Sequence, residues 1–249
     1  MANPMEQFDV VTLHPLKAGT YDLSFTNSAL WMLIALAAIS IFLFIGTSKP
    51  QLVPGRWQAA VEYLYDFVRK MLDENVGPEG RRFAPLVFSI FIFVLVCNLL
   101  GLLPWVGAFT PTSHVTVTFG LALIVFITVC IVGIMRHGFG FLKLFWPHGA
   151  NPLLGAFVFV IEVLSFCMRP FTLAIRLFAN MTAGHVLLKV FGTFVVTLGS
   201  FGALPYVFGI VPLGVNVVLT ALELLIAVVQ AYVFALLASL YLNDAINLH

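Results

Sequence analysis

The stretch "LLGAFVFVIEVLSFCMRPFTLAIRLFANMTAGHVLLKVFGTFVVTL", residues 153–198, decides the fold because it is apolar almost throughout. As a single α-helix it would extend about 69 Å, at about 1.5 Å per residue. The hydrocarbon core of a bilayer is about 30 Å thick, so a perpendicular span needs less than half of that length. The stretch is therefore either two spans hinged near Pro170 or one steeply inclined helix, and its residues leave both alternatives open.

The composition places the whole chain in a membrane. Of its 249 residues, 61% are hydrophobic and only 9% are charged, and the mean hydropathy is +1.06. Soluble domains contain about 25% charged residues. No segment shows the alternation of a membrane-spanning barrel strand, so the predicted class is an all-α polytopic membrane protein with one membrane domain, 1–249. A net charge of +1 gives no reason to expect nucleic acid as a partner.

Apolar runs divide the chain into further elements. The predicted order is an outside N-terminal segment at 1–27, spans at 28–46, 83–103 and 115–136, a long helical segment at 152–198 and a long last helix at 206–243. Residues 54–76 differ from these because their apolar side chains recur every three or four positions and charged side chains fill the other face. That pattern predicts an amphipathic helix on the membrane surface.

Basic residues predict the orientation of the spans. They are concentrated after the first and third spans, at Lys49, Arg56, Arg69, Lys70, Arg81, Arg82, Arg136 and Lys143. Lys17 alone precedes the first span, and the loop after the second span has no basic residue. Because cytoplasmic loops carry the excess of Lys and Arg, we expect the N-terminus outside, the surface helix in the cytoplasm and the C-terminus inside.

Two rows of polar residues interrupt the apolar C-terminal segments. Glu162, Arg169 and Arg176 lie seven residues apart, an interval that turns a helix by only about 20° from two full turns. Asn180 lies one turn beyond Arg176 on the same side. On the last helix the same interval separates three more polar residues, which are Asn216, Glu223 and Gln230. Polar rows on two successive helices predict a hydrated surface that the helices share.

His185 is predicted to serve a separate cavity. It follows Arg176 by nine residues, which places it on the opposite side of the helix and about 13 Å further along. Glu223 is a plausible partner for it. A histidine beside a carboxylate can titrate near neutral pH, which suits a proton relay inside a membrane.

The arginine at position 176 is costly to place in hydrocarbon. Insertion scales give about 3 kcal/mol for an arginine at a helix centre. A carboxylate about 4 Å away offsets about 4 kcal/mol at an effective dielectric constant of about 20. If Glu162 and Glu223 serve elsewhere, that carboxylate must belong to another protein. A pair between Glu162 and Arg169 stays open, although seven residues exceed the reach of direct helix neighbours, and Lys189 can extend toward an interface.

Two segments together carry a family resemblance. "RPFTLAIRLFANMTAGH" at 169–185 and "ELLIAVVQAYVFALLASLYL" at 223–242 closely resemble the a subunits of the F-type ATP synthase membrane sector. "NLLGLLPW" at 98–105 and the surface helix are similar too, and the likeness is weakest at 1–27. The arrangement of His185 and Glu223 resembles that of alphaproteobacterial and mitochondrial members.

This resemblance implies a fold and a function. Members are stators of the Fo proton channel, with two offset aqueous half-channels beside a rotating c-ring, and their last two helices form a strongly inclined hairpin. They couple proton translocation to ATP synthesis and are not enzymes by themselves. The implied partners are the c-subunit ring, the peripheral-stalk b subunits, the remaining ATP synthase subunits and membrane lipid, and no cofactor is implied. The implied location is the bacterial inner membrane, with the mitochondrial inner membrane as the alternative.

The resemblance also assigns roles to residues. Arg176 matches the essential arginine that faces the ring carboxylates, and Asn180 and Gln230 match polar residues near it. His185 and Glu223 match a pair in the half-channel open to the outside, and Glu162 matches a carboxylate near the cytoplasmic half-channel. Arg169 and Asn216 are supporting candidates. No metal site is expected.

Other classes of function remain as alternatives. A self-contained ion channel or secondary transporter would also place charges in the membrane, but its usual inverted repeats with paired broken helices are not seen in the sequence. An intramembrane enzyme is disfavoured because the sequence has neither an HExxH motif nor a nucleophile elbow.

Overall fold

The computed structural model describes residues 10–15, 17–18, 21–22, 24–102, 109–138, 140–141, 152–199 and 203–247. This part of the chain contains six α-helices: α1 (Asn27–Thr47), α2 (Arg56–Asn75), α3 (Ala84–Gly101), α4 (Val115–His137), α5 (Pro152–Gly199) and α6 (Ala203–Ile246). Two short 3-10 helices, Pro78–Phe83 and Pro111–Ser113, precede α3 and α4.

In the part of the chain that the structure describes, five helical segments are long and apolar enough to cross a membrane. They are Asn27–Thr47, Pro78–Gly101, Val115–His137, Leu154–Thr197 and Val211–Ile246, with hydropathies between 1.8 and 2.8. Helices satisfy all of their backbone hydrogen bonds internally, which is why they can span hydrocarbon. The predicted class, an all-α polytopic membrane protein, is confirmed.

α5 is one continuous helix that contains Pro170. A proline removes one backbone donor and bends a helix without having to end it, so the alternative of two separate spans is not what the structure shows. The 48 residues of α5 extend about 72 Å. α6 has 44 residues, includes Pro212 and begins and ends outside the predicted bounds of 206–243.

Four short strands precede α1, and the sequence did not predict them. β1 (Thr12–His14) pairs antiparallel with β4 (Phe25–Thr26), and β2 (Lys17–Ala18) pairs antiparallel with β3 (Tyr21–Asp22). Strands of two or three residues are too short to show an alternating pattern. The Thr26 hydroxyl accepts a hydrogen bond from the Ala29 N–H at 3.3 Å, so the end of β4 caps α1.

The chain forms two compact units. Unit 1 comprises residues 1–41, 93–114 and 177–231. Unit 2 comprises residues 42–92, 115–176 and 232–249. Each unit therefore contains parts of α1, α3, α5 and α6, and each is described separately below.

Unit 1 has a core in which polar side chains are buried among apolar ones. Leu177 and Met181 of α5 and Ala227 and Ala231 of α6 are all fully buried. Small residues such as these alanines allow membrane helices to approach closely. Besides Ser28 near the start of α1, the buried polar members of the described part of this unit are Asn98, Thr110, Thr112, Ser113, Glu223 and Gln230. Burying polar groups is costly unless they are hydrogen-bonded, so these residues mark a site rather than simple packing.

Unit 2 is organised around the amphipathic helix α2. Val61, Val68, Met71 and Leu72 form its buried face. Its aromatic side chains pack on α3 and on the end of α6, through the pairs Tyr65–Phe88, Phe67–Phe91 and Phe67–Tyr232 with ring centroids 5.5 to 5.9 Å apart. These contacts account for the three- and four-residue spacing of apolar residues in this part of the sequence.

An exposed ion pair links the end of α2 to the 3-10 helix that follows it. Arg81 Nε lies 2.8 Å from Asp73 Oδ1. The hydrogen bond from Arg81 lowers the pKa of the Asp73 carboxyl below its ordinary value. Because both side chains are largely solvated, the pair orders the turn between the two helices and contributes little to stability.

Candidate functional site

A buried acid and a histidine face each other in unit 1. Glu223 on α6 has only 3% of its surface exposed. Its Oε1 lies 3.2 Å from Nδ1 of His185 on α5. An imidazole nitrogen at this distance can carry a proton toward the carboxylate or take one from it. The arrangement therefore permits proton exchange between two side chains that are shielded from bulk water.

Gly184 makes room for the carboxylate. A Cβ atom built at this position would lie 2.7 Å from Glu223 Oε1 and 3.0 Å from Glu223 Cδ. Real Cβ atoms do not approach so closely. A glycine immediately before His185 thus lets the acid of α6 reach the imidazole.

A short hydroxyl-rich segment, Thr110–Ser113, lies against the same part of α5. Thr110 Oγ1 is 2.9 Å from His185 Nε2. One turn earlier on α5, the Thr182 hydroxyl donates to the Ser113 carbonyl at 3.4 Å. The segment therefore contacts two positions on one face of the helix, and one of them is the second ring nitrogen of the histidine.

The same segment is connected to α3 and α6 through Asn98. The Thr112 hydroxyl donates to Asn98 Oδ1 at 2.8 Å, and Asn98 Nδ2 donates to the Ala227 carbonyl at 3.2 Å. Both polar ends of this fully buried amide are thereby satisfied. The network fixes the segment relative to the helix that carries Glu223.

Asn180 and Gln230 form a second polar pair in unit 1. Asn180 Nδ2 donates to Gln230 Oε1 at 2.9 Å, and Gln230 is 4% exposed. Asn180 itself is exposed. The hydrogen bond therefore links an exposed amide of α5 to a buried amide of α6 and orients both.

The polar row of α6 carries atoms that lack a hydrogen-bond partner. Within the described residues, Asn216 Oδ1, both carboxylate oxygens of Glu223 and Gln230 Nε2 are buried and make no hydrogen bond. Buried polar atoms in proteins are normally satisfied by protein groups or by ordered water. The row at intervals of seven residues thus offers a series of positions where water can bind.

Arg176 lies in unit 2, and its side chain is exposed. Among the described residues of that unit it makes neither a salt bridge nor a hydrogen bond. Its neighbours Thr172 and Ile175 are exposed as well. A permanent charge thus stands on the outer face of a helix that is apolar enough to cross a membrane.

Arg169 has a different partner from the one that the sequence left open. Its Nη1 lies 2.7 Å from Asp244 Oδ2 on α6, and its guanidinium lies over the rings of Phe166 and Tyr241. The alternative pair with Glu162 is wrong, since Glu162 makes no salt bridge within the described part of unit 2. Seven residues along a helix is too far for a direct contact, whereas α6 supplies an acid from another element.

Sequence reasoning missed several members of these networks. It did not single out Thr110, Thr112, Ser113 or Asp244. A signal for the first three was the cluster of hydroxyl residues in a loop without charged residues, and a signal for Asp244 was that it is the second acid of the last helix. Within the described residues no group of His, Cys, Asp and Glu side chains could hold a metal ion.

The comparisons with known proteins all match the same family. The family model described as ATP synthase A chain matches residues 29–243. The chain is 50% identical over 250 residues to "ATP synthase subunit a" of Paramagnetospirillum magneticum, which covers 100% of both chains. It is 54% identical over 245 residues to the protein of that name from Mesorhizobium japonicum, covering 98% of this chain and 96% of the relative. The relative of that name from Zymomonas mobilis is 53% identical over 260 residues, covering 99% of this chain and 97% of its own.

Proposed function

Because the chain belongs to the ATP synthase A chain family, we propose that it is the stator of the Fo proton channel and provides two offset half-channels beside a ring of c subunits. It is a subunit of the ATP synthase complex. It translocates protons and does no chemistry on ATP, which falls to other subunits.

The observation that carries this proposal is that Arg176 is exposed and has no charged partner among the described residues of its unit. A guanidinium cannot be deprotonated at physiological pH, and leaving it unpaired in hydrocarbon costs several kcal/mol. A carboxylate on a neighbouring ring subunit would offset that cost. Because an ionised acid would stop at the arginine and a protonated acid would not, Arg176 acts as an electrostatic gate between the half-channels.

The entry path uses the His185–Glu223 pair and the water positions on α6. A proton from outside reaches the His185 imidazole, passes to the Glu223 carboxylate and is then transferred to a ring carboxylate. Asn180 and Gln230 present amide groups beside the route. Once neutral, the ring site can face lipid cheaply, whereas an ionised site cannot. Rotation of the ring therefore follows from neutralisation.

Three further polar residues have a place in this proposal. Glu162 lies near the cytoplasmic half-channel, where the ring acid loses its proton. Arg169 and Asn216 belong to the polar rows of α5 and α6 and have supporting roles. The peripheral-stalk b subunits hold the stator in place. The membrane is the bacterial inner membrane, with the N-terminus outside and the C-terminus in the cytoplasm.

Disulfide cross-linking tests whether the face of α5 that carries Arg176 adjoins the ring. In a complex whose subunit lacks Cys97, Cys130 and Cys167, cysteines are introduced as Thr172→Cys and Ala179→Cys, four residues before and three residues after Arg176. Both positions are exposed. We expect each to form a disulfide, on mild oxidation, with a cysteine placed beside the ring carboxylate.

Leu173→Cys is the matched control because Leu173 is only 1% exposed. It should give no cross-linked product. If the exposed positions fail to react while the ring is present in the purified complex, the proposed interface is wrong.

A second prediction concerns Gly184→Ala. The added methyl group would displace the Glu223 carboxylate from His185, because it would lie 2.7 Å from Oε1. We expect ATP-driven proton pumping by everted vesicles to fall about tenfold, which corresponds to roughly 1.4 kcal/mol in the transfer barrier. Fluorescence quenching of a pH-sensitive dye measures the pumping.

Gly192→Ala is the control on the same helix, since nothing lies within 4 Å of a Cβ at Gly192. It should pump normally. Equal pumping by the two alanine variants would contradict the role assigned to the close approach of Glu223.

A further inference from the structure

Both ring nitrogens of His185 are engaged by side chains of unit 1. Nδ1 lies 3.2 Å from Glu223 Oε1. Nε2 lies 2.9 Å from the hydroxyl oxygen of Thr110, a residue that is almost fully buried. The histidine is therefore held between an acid and a hydroxyl, and its ring cannot turn without losing both contacts.

A hydroxyl is the side-chain group that suits this position in every protonation state of the histidine. It carries one donor and two acceptor lone pairs and can rotate to use either. When the neutral imidazole carries its proton on Nδ1, the Thr110 O–H donates to Nε2. When the imidazole is protonated, Nε2–H donates to Thr110 Oγ1. The ring can thus gain and lose a proton without changing its orientation.

The position of the Thr110 side chain is itself constrained. A Cβ atom at Gly101 would lie 2.0 Å from Thr110 Oγ1 and 2.7 Å from its methyl carbon, so the glycine at the end of α3 leaves room for this side chain. The Thr110 carbonyl accepts hydrogen bonds from the Ser113 hydroxyl at 2.6 Å and from the Ser113 N–H at 3.0 Å. Close packing on one side and a closed 3-10 turn on the other hold the hydroxyl at Nε2.

We propose that Thr110 is a positioning residue for proton transfer between His185 and Glu223. Its hydroxyl keeps the imidazole aimed at the acid while the proton moves, so that each transfer starts from the same geometry. This inference rests on the proposed function, because it concerns the entry path of the same proton channel.

The test compares Thr110→Ser with Thr110→Cys in the complete ATP synthase. The two side chains differ only in oxygen against sulfur, and a thiol is a weak donor and a weak acceptor. Passive proton conduction is measured in membrane vesicles after the soluble catalytic sector has been removed, and each rate is divided by the amount of assembled membrane sector. We expect the serine variant to keep at least about half of the rate, and the cysteine variant to lose about fivefold to tenfold, the size typical of losing one hydrogen bond.

Thr110→Val extends the comparison because valine has the shape of threonine without the hydroxyl. We expect a loss of at least about tenfold, because valine cannot make the hydrogen bond to His185 Nε2. Thr128→Val is the control. Its hydroxyl is exposed and bonds only its own helix at the Ile124 carbonyl, so conduction should be unchanged.

The outcomes separate the inference from the function on which it rests. Equal conduction by the serine and cysteine variants would overturn the role of Thr110, and so would normal conduction by Thr110→Val. In either case His185→Ala alone should still block conduction if the proposed function holds. Normal conduction by His185→Ala would contradict the proposed function itself.

Discussion

Replacing Arg176 with alanine is expected to abolish ATP synthesis driven by a proton gradient. The guanidinium is exposed on α5 and has no salt-bridge partner among the described residues of its own unit, which is why we propose a carboxylate of a neighbouring ring subunit as its counter-charge. At an effective dielectric constant of about 20, a pair about 4 Å apart contributes about 4 kcal/mol. Such a contribution changes the occupancy of the paired state by about a thousandfold. Without this pair, an ionised ring site would pass position 176 as readily as a protonated one.

The measurement is ATP synthesis in energised vesicles that contain the complete complex. Arg56→Ala is the control, because Arg56 is also exposed and lies at the start of α2. It should synthesise ATP at the normal rate. Arg176→Lys keeps a positive charge but loses the planar fork of donors, so we expect it to be severely impaired as well. Normal ATP synthesis by the Arg176→Ala variant would contradict the proposal that Arg176 is an electrostatic gate.

Glu223→Gln should be the second most damaging change. Glutamine has almost the same shape as glutamate but cannot bind a proton at Oε1, the atom that faces His185. The contribution of a positioned acid or base to proton transfer is about a hundredfold or more. We therefore expect ATP-driven proton pumping to fall by at least about a hundredfold, while the complex still assembles.

Glu62→Gln supplies the control for this change. Glu62 is an exposed acid of α2 that accepts a hydrogen bond from Gln58, and its replacement should leave pumping unchanged. Rapid pumping by the Glu223→Gln variant would show that the proton takes another route through the subunit.

The helices could be predicted from the sequence because the membrane restricts which backbone conformations a chain can adopt. Each apolar run long enough to span hydrocarbon must satisfy its own backbone hydrogen bonds, and a helix does so. The periodicity of 54–76 likewise indicated α2, since a helix with one apolar face needs a surface or a core to cover it. The proximity of His185 and Glu223 was expected for a similar reason, because two ionisable groups in hydrocarbon are cheaper together than apart.

The partners of the polar residues were harder to predict. Arg169 and Asp244 are 75 residues apart in sequence, and helix periodicity says nothing about which faces of distant helices meet. The cluster of hydroxyl residues that includes Thr110 does not identify the role of this residue, because a threonine in a loop is common and only the structure shows that it faces His185 Nε2. The short N-terminal strands were missed because two or three residues cannot establish a pattern.

The uninterrupted course of α5 restricts how this protein can change in evolution. Inserting or deleting one residue between Arg176 and His185 would rotate every later side chain by about 100° and shift it by about 1.5 Å. His185 would then turn away from both Thr110 and Glu223. Surface connections such as residues 48–55 can absorb such changes at little cost. The spacing from the arginine to the histidine should therefore stay constant among functional relatives even where the residues between them differ.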